Sequence, residues 1–117
     1  MAVRRLEHVN TRSADVEATR AFYEELLGLS AGPRPPFASK GYWMYLDGQP
    51  ILHLVQRPAG EAAKPDSGNV DHLAFLGGDR DAMRAKIAAA GLPFRETETQ
   101  LFIHDPDGLK IEINFTQ

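Results

Sequence analysis

The chain of 117 residues is shorter than a typical domain, which excludes two domains with independent cores. Apolar residues at 43% and charged residues at 25% exclude a disordered tail or a fibre, and a formal net charge of -3 excludes a sequence-blind grip on nucleic acid or an anionic membrane. The absence of cysteine removes disulfides, thiolate nucleophiles and sulfur-ligated metal, so any metal here is held by nitrogen and oxygen. The N-terminus meets Glu7 and His8 before an apolar signal core forms, and no apolar run approaches membrane-spanning length, so a soluble, cytoplasmic protein is expected.

In chain order, Leu6-Glu7-His8-Val9 reads as a first strand. Val16, Thr19, Phe22, Tyr23, Leu26 and Leu27 follow at helical spacing. Asp15 is the expected N-cap of that helix, and Gly28 suits the left-handed position that ends it. The stretch Gly32-Pro33-Arg34-Pro35-Pro36-Phe37 is either a stiff connector or a loop over a pocket mouth that presents Arg34 and Phe37 to a ligand. Gly41 to Leu46 is the next strand, and its aromatics Tyr42, Trp43 and Tyr45 either pack the sheet or line a pocket. Asp47-Gly48 turns the chain into a strand from Ile51 to Gln56. Arg57 to Asn69, rich in Pro, Gly and Ala, reads as a linker.

The second half repeats the first. Val70-Asp71-His72-Leu73 matches Leu6-Glu7-His8-Val9 at an offset of 64, and Gly91-Leu92 matches Gly28-Leu29 at an offset of 63. A helix between them carries Met83, Ile87 and Ala90, capped by Asp79 or Asp81, and Asp105-Pro106-Asp107-Gly108 turns into a last strand from Leu109 to Thr116. Each half therefore reads β-α-β-β-β, over about residues 4–57 and 69–116 of a single domain spanning 1–117. A half of about 50 residues buries its own sheet poorly, so the halves must pack together or each must pack on a half from another chain.

Strand alternation places His8 and Asn10 on one face and His72 and Ala74 on the equivalent face. In the last strand Ile111, Ile113 and Phe115 oppose Lys110, Glu112 and Asn114, so Glu112 points away from the helix-packed core. Ile51, His53 and Val55 share a face in the first half, and His53 holds roughly the place of Glu112, six residues after Asp47 against five after Asp107. The duplication thus supplies four candidate ligands, His8, His53, His72 and Glu112. If the sheets form one concave surface these converge, and such a set suits Fe(II), Mn, Co, Ni or Zn. His104, beside the turn, is assigned to turn or hydrogen-bond chemistry. Glu7 and Asp71 alternate to the other face, where solvent or helix cations such as Arg20 and Arg84 are their expected partners.

The runs L-E-H-V, D-V-E-A-T-R-A-F-Y-E-E-L-L-G-L, V-D-H-L-A-F and I-H-D-P-D-G-L-K-I-E-I-N-F resemble the glyoxalase/bleomycin-resistance/dioxygenase, or vicinal oxygen chelate, superfamily over nearly the whole chain. The resemblance implies an α+β fold of two paired β-α-β-β-β modules forming a half-open eight-stranded barrel, and a homodimer whose sites are shared between chains. It also implies a divalent metal on His8, His53, His72 and Glu112, with His53 and Glu112 catalytic, and a small vicinal-oxygen substrate touching Asn10, Phe37, Trp43 and Tyr45. His53 stands where glyoxalase I looks to have a carboxylate, so it is either a fourth ligand or an acid/base beside a three-ligand set. The expected chemistry is glyoxalase-like proton transfer or dioxygenation. The alternative is a non-catalytic, drug-sequestering member of the same fold.

Overall fold

A computed structural model describes residues 2–62 and 68–115, and the chain divides into two compact units, Met1–Glu61 and Ala62–Gln117. Residues 63–67 of the expected linker and Thr116 of the expected last strand lie outside the described residues. No described helix is long and apolar enough to cross a membrane.

The first unit runs β1 (Val9–Ser13), α1 (Val16–Glu25), β2 (Ser30–Gly32), β3 (Gly41–Leu46) and β4 (Gln49–Gln56). Its sheet has the order β1-β4-β3-β2, with β1 parallel to β4 and the other pairs antiparallel. Helix α1 begins where the Asp15 carboxylate accepts from the Ala18 N–H at 3.2 Å. It ends before Gly28, whose φ of 75° lets the Leu29 N–H return to the Tyr23 carbonyl at 3.0 Å. Its apolar stripe buries Val16, Phe22 and Tyr23 together with Thr19, whose Oγ1 meets Ser13 Oγ on β1 at 2.6 Å. Leu52, Leu54 and Met44 complete this core from the helix-facing side of the sheet.

The second unit repeats the order: β5 (His72–Leu76), α2 (Arg80–Ala89), β6 (Arg95–Glu96), β7 (Gln100–His104) and β8 (Lys110–Asn114), in a sheet ordered β5-β8-β7-β6. Asp79, rather than Asp81, caps α2 by accepting from the Ala82 N–H at 3.0 Å. Of the expected helix face, Ile87 is buried and Met83 half-buried, whereas Ala90 is the exposed C-cap. Register puts Leu73, Ile111 and Ile103 in one row and Phe75, Ile113 and Leu101 in the next, so these six share the apolar face. Leu101, Ile103, Ile111 and Ile113 are fully buried.

Two turns fix the site strands. Asp47 and Gly48 both have positive φ, 52° and 76°, as a two-residue turn matching strand twist requires. In the second unit the buried Asp105 carboxylate accepts from the Asp107 and Leu109 N–H groups at 2.9 and 3.0 Å, closing the turn ahead of β8.

Three expectations shift. The first strand starts at Val9, because the parallel register with β4 begins at Val9↔Leu52; Leu6 and His8 precede it, and Leu6 is 81% exposed. Val70 likewise precedes β5 and is exposed. Ile51 is not part of a regular alternation with His53. The pairs Met44↔Leu52 and Tyr45↔Pro50 leave Ile51 as the extra residue of a β-bulge. That extra residue accounts for the spacing of six against five. Asn10 lies opposite His53, and Ala74 lies opposite Glu112, so the two positions are equivalent in register.

Candidate metal half-sites

Parallel pairing sets each side chain beside a partner on the same face. In the second unit His72 opens β5 and Glu112 lies two residues into β8, so the pair face each other diagonally. His72 Nε2 is 3.2 Å from Glu112 Oε1, and Glu112 is buried, 6% exposed. His72 Nδ1 lies 2.8 Å from Asp71 Oδ2. The Lys110 ammonium, 2.8 Å from the same oxygen, and the His72 ring hold the Asp71 carboxyl at about 2, so it is ionised and only accepts. In the neutral ring the proton therefore sits on Nδ1, and Nε2 turns a lone pair toward Glu112. Two acceptors at that distance repel unless a proton or a metal cation stands between them. The other carboxylate oxygen accepts from Asn114 Nδ2 at 3.4 Å.

The first unit builds a related arrangement from different chemistry. His8 Nδ1 lies 3.1 Å from Glu7 Oε1, which repeats the acid-then-histidine contact of Asp71 and His72. His8 Nε2 has no hydrogen-bond partner among the described residues, and its side chain is 39% exposed. Its ring stacks on His53, centroids 3.9 Å apart and planes 9° apart, and His53 stacks in turn on Trp43 at 4.1 Å and 9°. Burial between those rings, and then the His8 ring itself, push the His53 pKa below the ordinary histidine value, so His53 is neutral near pH 7. Its Nε2–H donates to the Pro50 carbonyl at 3.1 Å, beside the bulge, which leaves Nδ1 as the basic nitrogen.

This stack bears on the fourth-ligand alternative. A metal lies in the plane of the imidazole that binds it, at about 2.0–2.1 Å. Two parallel rings separated by nearly 4 Å cannot both direct in-plane lone pairs at one ion, so in this arrangement His8 or His53 is available as a ligand, not both. His8, with Nε2 open and Nδ1 engaged by a carboxylate, has the better-oriented lone pair. Among the described residues no group of three or more His, Asp or Glu is gathered closely enough to hold a metal.

The remaining expected residues divide by face. Asn10 and Trp43 flank His53 in one row, and Trp43 meets Phe37 at 6.4 Å between centroids. The Tyr45 ring covers Gly32, where a Cβ would lie 2.7 Å from it, and its hydroxyl donates to the Pro33 carbonyl at 2.6 Å, so Tyr45 anchors the proline-rich loop. Arg34 lies over Phe37 and donates to the Ser39 carbonyl, bracing the same loop. Tyr42 is on the opposite, helix-facing side, where its hydroxyl donates to Glu17 beneath Arg20. His104 is exposed at the end of β7.

Glu7 and Asp71 do not pair with helix cations. Arg20 takes Glu17 and Glu24, and Arg84 takes Asp81 and Glu96, because those acids lie within a helical turn or on the adjacent strand. Both carboxylates instead orient the following histidine. The sequence carried that signal as an acid immediately before a histidine in both copies. The Pro50 carbonyl and the ring of Phe102, which His72 meets edge-on at 6.3 Å, had no comparable signal.

The sequence model of the Glyoxalase/Bleomycin resistance protein/Dioxygenase superfamily matches residues 5–113. The chain is 28% identical over 120 residues to Glyoxylase I 4 of Arabidopsis thaliana, covering 92% of this chain and 68% of that protein. It is 24% identical over 126 residues to the uncharacterized protein YaeR of Escherichia coli, covering 97% of both. The trypanothione-dependent glyoxalase I of Leishmania major superposes with a TM-score of 0.78 at 21% identity, over 97% of this chain and 87% of that one, which shows a common fold.

Proposed function

Since the chain belongs to the Glyoxalase/Bleomycin resistance protein/Dioxygenase superfamily, we propose that it is a metal-dependent enzyme in which His8, His72 and Glu112 hold a divalent ion and His53 moves a proton on a small vicinal-oxygen substrate. The observation that carries this reading is the approach of His72 Nε2 to Glu112 Oε1 at 3.2 Å while Nδ1 is engaged by Asp71. Nitrogen and oxygen donors of this kind fit Fe(II), Mn, Co, Ni or Zn. Bound there, the ion supplies Lewis acidity that stabilises negative charge developing on the substrate's neighbouring oxygens. The set is completed by a first unit and a second unit drawn from the two chains of a homodimer.

The chain's own residues divide the remaining work. Asp71 and Glu7 fix the tautomers of the two ligating histidines. His53 is kept neutral by burial and oriented by the Pro50 carbonyl, so Nδ1 accepts a proton from the substrate and returns it. A neutral, fixed base favours proton transfer over dioxygenation, in line with the glyoxalase names of two relatives. Trp43 continues the His53 stack, Phe37 meets Trp43 at a tilt, and the two offer an apolar wall for the substrate.

The test is titration of metal-free protein with Fe(II), Mn, Co, Ni and Zn, expected to reach about one ion per chain. His72→Ala and Glu112→Ala lose the ion while staying folded, and His104→Ala retains it. Retention in both ligand variants, or loss in His104→Ala, overturns the assignment. Mixing His8→Ala with Glu112→Ala chains restores one site per mixed dimer if sites are shared between chains, and none if each site lies within one chain.

A further inference from the structure

The row of the second sheet that contains Glu112 continues outward: Ala74 on β5, Glu112 on β8, Phe102 on β7 and Arg95 on β6 are successive register partners on one face. The Arg95 guanidinium lies 4.4 Å from the Phe102 ring centroid. Lys110, the other cation near that ring at 5.9 Å, is already paired with Asp71. Arg95 has no acidic partner among the described residues and is exposed, in contrast to Arg80 and Arg84, which share Glu96. Contact with an aromatic face uses no acceptor, so its planar fork of donors keeps its capacity for a carboxylate. Two strand spacings, roughly 10 Å, separate the Arg95 backbone from that of Glu112. Phe102 stands on the strand between them, and His72 meets its ring edge-on.

We propose that Arg95 determines substrate specificity by binding a carboxylate on a planar substrate whose body lies against Phe102 and whose vicinal oxygens reach the His72–Glu112 pair. This rests on the metal-site reading above, and it names the substrate class: a flat, unsaturated or aromatic acid with adjacent oxygens at the end far from its carboxylate. Arg95 makes a binding contact and takes no part in moving protons. A charge-assisted bond of this kind corresponds to roughly tenfold or more in affinity.

The experiment compares dihydrocaffeate, a catechol with a carboxylate tail, and ethylcatechol, which lacks the carboxylate, on Mn(II)-loaded wild type, Arg95→Gln and Arg95→Lys by calorimetry. Dihydrocaffeate is expected to bind the wild type at least tenfold more tightly than ethylcatechol. Arg95→Gln erases the difference without changing ethylcatechol affinity or Mn(II) uptake, and Arg95→Lys keeps part of it. A second arm follows the Arg95 Nε–H resonance in metal-free protein during titration with hydrocinnamate, which has the carboxylate but no chelating oxygens, and a saturable shift is expected. That shift without any metal uptake sinks the metal reading and leaves the carboxylate site standing. Metal uptake with no shift, and either no wild-type preference for dihydrocaffeate or a preference that survives Arg95→Gln, overturns the role of Arg95 and leaves the metal reading intact.

Discussion

Asp71 offers the sharpest test of the second half-site, because it is not itself a proposed ligand and acts through His72. Its carboxylate receives Lys110 Nζ and His72 Nδ1, both at 2.8 Å. Substitution of a carboxylate that orients a ligating histidine lowers metal affinity by about ten- to a hundredfold. Asp71→Asn keeps an acceptor but loses the charge, and charge-assisted bonds are roughly twice as strong as neutral ones, so about tenfold is expected; Asp71→Ala removes the acceptor and approaches a hundredfold. Both variants also release Lys110, which shares a sheet face with Glu112 and adds unbalanced positive charge beside the proposed site. The assay is competition for Co(II) against a chromophoric chelator, with thermal melts run in parallel. Since Asp71 is exposed, the melts are expected to match the wild type. With its carboxyl held at about 2, Asp71 stays ionised over about pH 5 to 8. Glu7→Gln, acting through the longer 3.1 Å contact to His8, produces a smaller loss, and the two losses multiply because the residues share no partner. Asp71→Ala binding Co(II) within about twofold of the wild type, with the fold intact, would refute the orientation argument.

Asp105→Ala is expected to destabilise the protein by about 3 kcal/mol, because a buried carboxylate loses two N–H donors and each such bond contributes about 1.5–3 kcal/mol before partial recovery by water. That corresponds to a fall of roughly 10 °C in Tm, and a fall below about 3 °C argues that the turn is held by other contacts. His53 has a pKa depressed in the folded state, so between its ordinary value and the depressed one the unfolded chain binds more protons. Stability therefore rises with pH through that window and is lost as pH falls through it. Denaturant titrations from about pH 7.5 to 5 should show a shallower acid loss in His53→Asn than in wild type, and identical slopes would mean His53 titrates normally.

Element order and the site strands were legible because period changes and turn chemistry agree with the tertiary result. Asp15 and Asp79 cap where the helical stripes begin, Gly28 and Gly91 stop them, and the aspartate-glycine turns mark both hairpins. What the residues could not reveal depends on register. Ile51 reads as an ordinary apolar strand residue, and only the shift between Met44 and Tyr45 identifies it as a bulge. The start of β1 likewise depends on its pairing with Leu52 of β4, not on Leu6 or Glu7. Alternation predicts that Glu7 and Asp71 point away from the histidines, but both precede their strands, where the backbone is released from the pleat and each carboxylate turns onto the neighbouring ring. The stacking of His53 between His8 and Trp43 is a side-chain arrangement with no sequence period behind it.

The register also explains how a repeated unit comes to divide labour. His53 and Glu112 occupy the same place, opposite the residue two beyond the first histidine of each half. At Glu112 the side chain is a carboxyl group that meets His72 Nε2 at 3.2 Å. At His53 the same position carries an imidazole whose burial between two rings disfavours its cationic form. A depressed pKa is the opposite of what a cation would need from a charged partner, but it is what a base working near neutrality needs. The bulge strengthens that difference. By inserting Ile51 it brings the Pro50 carbonyl within 3.1 Å of His53 Nε2, a contact that occupies one ring nitrogen and fixes the proton on it. The second hairpin has a regular register around Glu112 and leaves both carboxylate oxygens to the face where His72, Asn114 and, further along the row, Arg95 are placed. One added residue in a strand therefore sets the proposed proton-transfer position at His53 apart from the proposed cation-holding position at Glu112.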